Sequence, residues 1–385
     1  MTPAARLDAA ITILDRILSG TPAEQTLTSW ARASRFAGAK DRAAIRDHVF
    51  DVLRCKRSCA HLGGAETGRG LILGLLRSTG QDPNTLFTGQ GHAPAPLTGA
   101  EARHDPAPMP ELVALDSPDW LAPALRASLG SEFASVLQAL RQRAPVFLRV
   151  NTARVTRTDA IAALHEAGIG TKPHALATTA LEITANPRAL RQSAPYRDGL
   201  VELQDAASQA VIAALPPLEG ARVLDFCAGG GGKALALAAR GATVTAHDAH
   251  PQRMADLPAR AARAQTRITL SEAPEGLFDL VLTDVPCSGS GAWRRSPAGK
   301  WTLTPEQLSQ LHQVQAGILD RVAPLVRPGG WLAYATCSLL DSENGAQIAA
   351  FLTRRKDFRP TQTHRFTPLE DGDGFYLALL RRDDA

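Results

Sequence analysis

From about Leu203 onward, short apolar segments alternate with helical segments. The apolar segments are ARVLDF, TVTAHD, FDLVLTDV and GGWLAYAT, and the helical segments ALALAARG and MADLPARAARA separate the first three of them. Strands that alternate with helices favour a mostly parallel sheet with helices on both faces. Ligands bind to such sheets at the carboxyl ends of the strands, where the strand order reverses. The sequence therefore predicts an α/β domain over residues 201–385, with a ligand site at the carboxyl ends of its strands.

Three further regions precede this domain. In the first, Leu7, Ile11 and the leucines that follow recur at helical spacing, which predicts a small all-α domain over residues 1–82. Residues 83–118 are rich in Pro, Gly and Ala, and we expect a linker because this composition buries little apolar area. Residues 119–200 combine helical and strand patterns, which indicates a small mixed α/β module.

The composition is that of a globular protein. Of the 385 residues, 44% are hydrophobic and 21% are charged, and no apolar run reaches membrane-spanning length. Charged residues interrupt the first eighteen positions, at Arg6, Asp8, Asp15 and Arg16, so we expect no secretory signal and a cytoplasmic location. The five cysteines contain no C-x-x-C pair, so we expect reduced thiols and no metal site.

The positive charge lies at the beginning of the chain. Residues 1–60 hold ten Lys and Arg against six Asp and Glu, a difference of +4 that equals the net charge of the whole chain. Such a skew suits an acidic partner such as a nucleic acid. Solvated helix surfaces explain it equally well, so charge alone leaves both interpretations open.

A glycine-rich turn follows the first strand of the α/β domain, in VLDFCAGGGGKALALAA. Glycines allow the backbone to approach a ligand and expose its amide donors. The pattern differs from G-x-G-x-x-G, and Ala234 stands where an ATP-binding loop has its hydroxyl, so nicotinamide and ATP sites are both disfavoured. Asp248 closes the next strand, where it suits either a ribose diol or the cap of a helix.

Two cysteines follow two of the apolar strands. Cys287 comes shortly after Asp284 at the end of FDLVLTDV, and Cys337 follows GGWLAYAT. A buried cysteine is usually inert packing, but two that leave strands at the expected ligand edge indicate covalent chemistry. One such reaction is methylation of cytosine at carbon 5, which becomes nucleophilic only after a thiolate adds to carbon 6.

The same segments resemble the RsmB/Sun-type RNA cytosine-5 methyltransferases. The similar segments, in order, are LQDAASQ (203–209), DFCAGGGGK (225–233), TDVPCSGSGAWRRSP (283–297), KWTLTPEQLSQLHQVQAGIL (300–319), YATCSLLDSEN (334–344) and DGFYLALLRR (373–382). The paired PCS and TCS segments are the most specific of these. FLRVNT (147–152) and AKDRAAIRDHVFDVLR (39–54) resemble the subgroup with an N-terminal NusB-like RNA-binding domain.

The resemblance implies a Rossmann-like class I methyltransferase core, S-adenosylmethionine as cofactor and RNA as partner. It makes Cys337 the nucleophile, Cys287 the residue that assists product release, and Asp284 the residue that holds the cytosine ring edge and borders the cofactor. The cofactor-binding residues that it implies are Cys227, Ala228, Gly229, Gly230, Gly231, Gly232, Lys233 and Asp248. We expect a monomer that acts on small-subunit ribosomal RNA, with transfer RNA as the second candidate.

The chain departs from the family pattern in two places. Gly229-Gly230 stands where the family commonly has Ala-Pro, which loosens the turn and keeps its backbone donors. The acidic residue that usually meets the adenine amino group is missing, and Ser271 or Glu272 is the candidate replacement. The competing functions are a DNA cytosine-5 methyltransferase, whose nucleophile lies in the PC segment, and a non-catalytic RNA-binding factor.

Overall fold

The computed structural model describes residues 1–384. Tertiary contacts divide the chain into two compact units. The first unit comprises Met1–Arg143 and Trp293–Thr302, and the second comprises Ala144–Ala292 and the residues from Leu303 onward. Across residues 1–384, every helix is too short or too polar to cross a bilayer.

The first unit is helical. Its helices, in chain order, are α1 Pro3–Leu18, α2 Ala23–Ala33, α3 Ala39–Arg54, α4 Lys56–Gly63, α5 Gly68–Ser78, α6 Gly99–Ala102, α7 Glu111–Ala114, α8 Ala122–Leu129 and α9 Phe133–Leu140. Thr2 caps α1 by accepting a hydrogen bond from the amide of Ala5, and Gly64 ends α4 in the left-handed conformation. The apolar stripe that predicts these helices forms the core, in which Ile13 and Ile45 are fully buried.

The segment predicted as a linker, 83–118, packs on this helical unit. Phe87 is buried in its core, and the carboxylate of Glu101 forms an ion pair with Arg69 at 2.7 Å. Asp116 is fully buried and accepts hydrogen bonds from Ser58. The structure therefore divides the chain differently from the sequence-based bounds, because a few residues with partners elsewhere in the chain order a segment of otherwise weak composition.

A short segment from the second half of the chain, Trp293–Thr302, belongs to the first unit and is here called the excursion. It contains the helix Ala298–Thr302. Within that unit the indole N–H of Trp301 donates to the carbonyl of Leu53 at 2.6 Å, and the ammonium of Lys300 donates to the carbonyl of Arg54 at 3.1 Å. Burial lowers the pKa of Lys300 to about 8. This membership was not predicted, since sequence neighbours alone place the excursion in the α/β domain.

The second unit begins with a small antiparallel sheet. Its four strands are β1 Phe147–Val150, β2 Gly170–Pro173, β3 Ala180–Ala185 and β4 Val201–Leu203, in the order β2-β3-β1-β4. Helices Arg157–Glu166 (α10) and Ala194–Arg197 (α11) connect them. The mixed module predicted over 119–200 therefore has its strands here, whereas its first two helices, α8 and α9, belong to the first unit.

A seven-stranded sheet forms the rest of the second unit. Its strands are β5 Arg222–Asp225, β6 Thr243–Ala246, β7 Ile268–Leu270, β8 Phe278–Asp284, β9 Val326–Thr336, β10 Phe358–Phe366 and β11 Phe375–Arg382, in the order β10-β11-β9-β8-β5-β6-β7. Five adjacent strands, β7, β6, β5, β8 and β9, are parallel to one another. Strand β11 lies between β9 and β10 and is antiparallel to both. The prediction of a mostly parallel sheet is confirmed.

Helices cover both faces of this sheet. They are α12 Ala206–Ala213, α13 Gly232–Ala238, α14 Leu257–Arg263, α16 Pro305–Val322 and α17 Gly345–Arg354, with the helix at 298–302 counted as α15. Leu280 and Leu282 of β8 face the core that contains α12 to α14, whereas Val281 faces the core that contains α16 and α17. The strand order reverses at β5, which lies between β6 and β8, so the carboxyl end of β5 is the expected ligand position.

Candidate active site

The glycine-rich turn lies at the carboxyl end of β5. Gly229 and Gly231 have φ angles of +51° and +80°, a backbone conformation that residues with a side chain rarely adopt. A Cβ atom at Gly231 would lie 2.2 Å from the side chain of Leu257. Glycine is therefore required there by both backbone conformation and space, and the run of glycines in the sequence is explained by the shape of this turn.

Two arginines fasten the turn from outside. Arg149 of β1 donates to the carbonyl of Gly232 at 2.8 Å, and Arg260 of α14 donates to the carbonyl of Gly230. Arg149 is buried, and burial lowers its pKa to about 10, so it still carries its charge at neutral pH. The FLRVNT segment thus supports the turn through its arginine.

Asp248 lies beside the turn and is 3% exposed. Its carboxylate accepts hydrogen bonds from the amides of Gly229 and His250, each at 2.9 Å. The guanidinium of Arg253 also forms an ion pair with this carboxylate at 3.5 Å, so of its about four acceptor positions about one remains for a further donor. Asp248 is not the cap of the 3₁₀ helix that follows, Pro251–Met254, whose cap position is His250, and its remaining acceptor capacity suits a ribose hydroxyl.

Asp225 is a residue of this site that the sequence analysis missed. It ends β5 and is fully buried, and its carboxyl oxygens have no side-chain hydrogen-bond partner among residues 1–384, with only the backbone amide of Ala234 directed at them. Burial, opposed by the charge of Lys233, raises its pKa to about 7. The signal in the sequence was an acidic residue directly before the glycine turn. A buried carboxyl without a side-chain partner is costly and indicates a missing donor or cation.

Lys233 was expected to bind the cofactor, and the structure brings it to Asp284. Its ammonium donates to Oδ2 of Asp284 at 2.6 Å. Burial alone would lower the pKa of Lys233, but the charge and the hydrogen bond of Asp284 outweigh it and the pKa is raised. Lys233 is therefore positively charged at neutral pH. Oδ1 of Asp284 accepts no hydrogen bond from the described residues.

Cys287 and Cys337 follow the neighbouring parallel strands β8 and β9, and their sulfur atoms lie 3.3 Å apart. The hydrogen bond to Cys337, and then burial, raise the pKa of Cys287 well above its usual range. Cys287 is therefore held as a thiol, and either sulfur can donate in the contact between the two. Because the thiolate is the reactive form of cysteine, the raised pKa of Cys287 disfavours it as the nucleophile.

Cys227 and Ala228 connect β5 to the glycine turn. Burial raises the pKa of Cys227, so its thiol stays neutral and unreactive. The amide of Ala228 donates to the carbonyl of His247 at 2.9 Å, which joins the turn to the end of β6. At this position both residues shape the site through their backbone.

A buried carboxylate joins the two cysteine loops. Glu343 is fully buried and accepts hydrogen bonds from the amide and hydroxyl of Ser288, at 2.8 and 2.5 Å, and from the hydroxyl of Ser338 at 2.5 Å. These serines directly follow Cys287 and Cys337. Glu343 thereby fixes the separation of the two thiols. This role was not predicted, because Glu343 and Ser288 lie far apart in the sequence.

The two candidates for the adenine contact lie after β7. The amide of Ser271 donates to the carbonyl of Ala246 at 3.0 Å, which places Ser271 beside the end of β6. Glu272 is exposed to solvent. The structure places both at the ligand edge of the sheet, and their contact with adenine stays a prediction.

The sheet order, with the glycine turn and the acidic strand ends at its ligand edge, defines a Rossmann-like α/β fold of the kind that binds a nucleotide-containing cofactor. A family model of the 16S rRNA methyltransferases RsmB/F matches residues 212–381, and a model of the ferredoxin-like domain of RsmF/B-like methyltransferases matches residues 117–189. The chain belongs to this RsmB/F family.

Curated relatives agree with this assignment. Ribosomal RNA small subunit methyltransferase B of Citrobacter koseri is 34% identical over 331 residues, which cover 81% of this chain and 73% of that protein. Its counterpart in Serratia proteamaculans is 33% identical over 282 residues, which cover 68% of this chain and 66% of that protein. The chain thus spans about two thirds of the length of some curated relatives it matches.

Solved structures show the same fold. PH0851 has a TM-score of 0.79 at 22% identity, with 99% of both chains covered. NSun6 from Pyrococcus horikoshii, solved with SFG, has a TM-score of 0.62 at 17% identity and covers 70% of this chain and 99% of its own.

Proposed function

We propose that this protein transfers a methyl group from S-adenosylmethionine to carbon 5 of a cytosine in RNA, through a covalent bond between Cys337 and carbon 6. The observation that carries the proposal is the pair of thiols 3.3 Å apart at the ends of two adjacent parallel strands. The Lys233–Asp284 ion pair ends one of those strands, so base-binding and nucleophilic groups converge.

The residues around the glycine turn fit S-adenosylmethionine. The carboxyl of Asp225, which has no side-chain partner, suits the ammonium of its methionine part, and the remaining acceptor position of Asp248 suits its ribose. Within the turn, the amides of Gly229 and Gly231 are used by Asp248 and by the carbonyl of Ala228, whereas Gly230 is exposed to solvent. When bound, the cofactor supplies an electrophilic methyl group. NSun6, which shares the fold, was solved with SFG, an analogue of this cofactor.

The addition step belongs to Cys337. Its thiolate forms an S–C6 bond, and the electron pair of the C5–C6 double bond makes carbon 5 nucleophilic. Cys337 is one of the groups whose charge raises the pKa of Lys233, so the ammonium of Lys233 and the sulfur of Cys337 belong to the same site. The free oxygen of Asp284 accepts a hydrogen bond from the amino edge of the cytosine and holds the ring in place. Carbon 5 then takes the methyl group as the bond from that group to sulfur breaks.

The elimination step belongs to Cys287. Once the sulfur of Cys337 is bonded to carbon 6, Cys287 loses the hydrogen-bond partner that contributes most to its raised pKa. Cys287 then loses its own proton to solvent more easily, and the resulting thiolate takes up the proton of carbon 5. The electron pair of that C–H bond restores the double bond, and the S–C6 bond breaks to release Cys337 as a thiolate.

The substrate that we propose is small-subunit ribosomal RNA, which the names of the relatives give for those proteins. We further propose a cytoplasmic location and a monomeric enzyme, as expected for a chain that acts on ribosomal RNA. A DNA cytosine-5 methyltransferase and a non-catalytic RNA-binding factor have less support, because the two thiols, Asp248 and Asp284 form one compact site.

The test is a methyl-transfer assay with the full chain and labelled S-adenosylmethionine. Small-subunit ribosomal RNA, transfer RNA and duplex DNA serve as parallel substrates, and digestion to nucleosides followed by mass spectrometry identifies the product. We expect 5-methylcytidine in ribosomal RNA, and no product from Cys337→Ala, which should bind the cofactor normally. Product in DNA alone, or full activity of Cys337→Ala, would refute the proposal.

A further inference from the structure

Two neighbouring cavities open on the first unit, the first along α2 and α3 and the second between α1, Trp30, Phe36 and residues 90–92. The first has a volume of about 390 Å³, and the second about 710 Å³. Trp30 lines both, so they form one continuous surface, here called the α2–α3 groove. No part of the catalytic machinery described above lies in this unit.

Cations without partners line the first cavity. Arg32, Arg35 and Arg42 are exposed and form no ion pair with any described residue. Arg46 also lines this cavity, but its guanidinium is paired with Glu24 at 2.6 Å. Three arginines whose charge is not used within the fold produce a positive potential that suits a polyanion.

The acidic residue nearest in sequence does not cancel this charge. Asp41 precedes Arg42, but its carboxylate accepts hydrogen bonds from Arg6 at 2.9 Å and from the N-terminal ammonium at 3.3 Å. Those contacts lower its pKa although burial opposes them, so its charge is already balanced by two cations. The positive surface therefore persists around neutral pH.

Aromatic residues distinguish this groove from an ordinary basic patch. Phe36 lines the second cavity and is 76% exposed, the largest value among the exposed large hydrophobic residues of the described chain. Trp30 is partly exposed between the two cavities. An exposed phenylalanine gains nothing in folding, and flat apolar faces beside arginines are typical of surfaces on which nucleobases stack.

We propose that the α2–α3 groove binds a single-stranded segment of RNA, an inference that rests on the proposed RNA substrate. The phosphates lie along Arg32, Arg35 and Arg42, and bases stack on Trp30 and Phe36. Duplex RNA fits less well, because its bases are stacked inside the helix and out of reach of the aromatic rings.

The second cavity supports this division of roles. Asp8, Gln90 and His92 line it with Phe36, and the carboxylate of Asp8 disfavours a phosphate there. The same carboxylate and the amide of Gln90 can exchange hydrogen bonds with the edge of a base. The groove therefore has a phosphate side in the first cavity and a base side in the second.

The test measures the affinity of the full chain for a fluorescent single-stranded RNA of about 16 nucleotides and mixed sequence, over a series of salt concentrations. Phe36→Ala should weaken binding about tenfold with an unchanged salt slope, since one stacked base is lost. A triple variant with Arg32, Arg35 and Arg42 changed to Gln should reduce the slope of log affinity against log salt by about 2, since each phosphate contact to a single strand contributes about 0.7.

Two controls make the result specific. Arg16→Gln removes an exposed arginine that lines neither cavity, and it should leave affinity and slope unchanged. The same RNA annealed to its complement should bind more weakly to the wild type and be insensitive to Phe36→Ala. Thermal melts verify the fold of each variant, and all substituted side chains are exposed.

Unchanged single-strand affinity in the Phe36 and triple variants would overturn the inference. Equal binding of the duplex, or loss of a protein partner with RNA affinity retained, would overturn it too. Methyl transfer by the same wild-type preparation separates this failure from that of the proposed function: transfer that persists while the groove variants bind normally refutes the groove alone. Absence of transfer to any RNA refutes the proposed function.

Discussion

In the cofactor site proposed above, Asp225 links the protonation of the site to the binding of S-adenosylmethionine. Burial raises the pKa of this carboxyl to about 7 from its ordinary 3.8, so at neutral pH much of it is protonated. A cation bound beside Asp225 favours the ionised form and lowers the pKa again. Cofactor binding near pH 7 must then release a proton from Asp225.

We therefore expect the affinity for S-adenosylmethionine to increase as the pH rises from about 6 to 8. Calorimetry in two buffers of different ionisation enthalpy measures the proton released. Asp225→Asn keeps the shape of the side chain and should bind S-adenosylmethionine more weakly. The proton that Asp225 releases on binding should be absent from this variant. Identical proton release by wild type and variant would separate Asp225 from the cofactor.

The two cysteine loops work as one element because Glu343 joins them. Its removal leaves buried hydroxyl and amide donors at Ser288 and Ser338 with a poorer acceptor, and the loops lose their common anchor. The amide of Gln315 also donates to Glu343 at 3.0 Å, so α16 shares this anchor. The positions of both thiols therefore depend on a residue that contacts neither substrate nor cofactor.

Glu343→Gln should lower kcat by about 100-fold, the size of effect that a displacement of about 1 Å has on positioned groups. Cofactor affinity should be unchanged, since Glu343 lies on the loops and not on the glycine turn. Glu306→Gln, at an exposed position on α16, is the matched control. Steady-state kinetics and calorimetry decide it: a loss of cofactor affinity equal to the loss of kcat would indicate general unfolding of the site.

On the scale of the whole chain, the first unit depends on residues from a distant part of the sequence. Lys300 is buried there, and its pKa of about 8 lies below its ordinary 10.5. Between these two values the unfolded chain holds a proton that the folded chain has lost. The free energy of unfolding therefore rises with pH across this window through Lys300.

Lys300→Met should remove that rise. The difference in unfolding free energy between wild type and variant should change by at most about 3 kcal/mol from pH 8 to 10.5, in favour of the wild type at the higher pH. Denaturant titrations over this range measure it, with Cys55→Ala introduced into both proteins because Cys55 interacts electrostatically with Lys300. A pH-independent difference would show that Lys300 is not buried as described.

Structural features that depend on residues close together in the sequence were predicted, and features that depend on contacts between distant residues were not. The strands β5, β6, β8 and β9 and their parallel pairing were predicted, because each apolar run is a local pattern, whereas the three-residue strand β7 was not predicted. The glycine turn, Asp248 and the two cysteines were located at the ends of strands in the same way, and their roles stay predictions. Asp225 was overlooked because a single acidic residue gives no sign of its burial.

Contacts between distant segments could not be predicted from the sequence. Glu343 pairs with Ser288 across 55 residues, and Lys300 with Arg54 across 246, and neither pairing leaves a periodic trace. The segment 83–118 was expected to be a linker because its composition is poor, yet Phe87 and Asp116 find buried positions. The NusB-like character of the first unit stays a prediction.

The central claim is that Cys337 forms the covalent bond and Cys287 resolves it. Cys287→Ala should still add to cytosine and methylate it, but it should fail to eliminate, so protein accumulates bound to RNA. Denaturing electrophoresis of wild type, Cys287→Ala, Cys337→Ala and the double variant, each with RNA and S-adenosylmethionine, measures this. The account predicts a denaturation-resistant complex from Cys287→Ala alone, released by ribonuclease to a short adduct on the peptide of Cys337. A complex from Cys337→Ala and none from Cys287→Ala would contradict it, because the two thiols would then have exchanged roles.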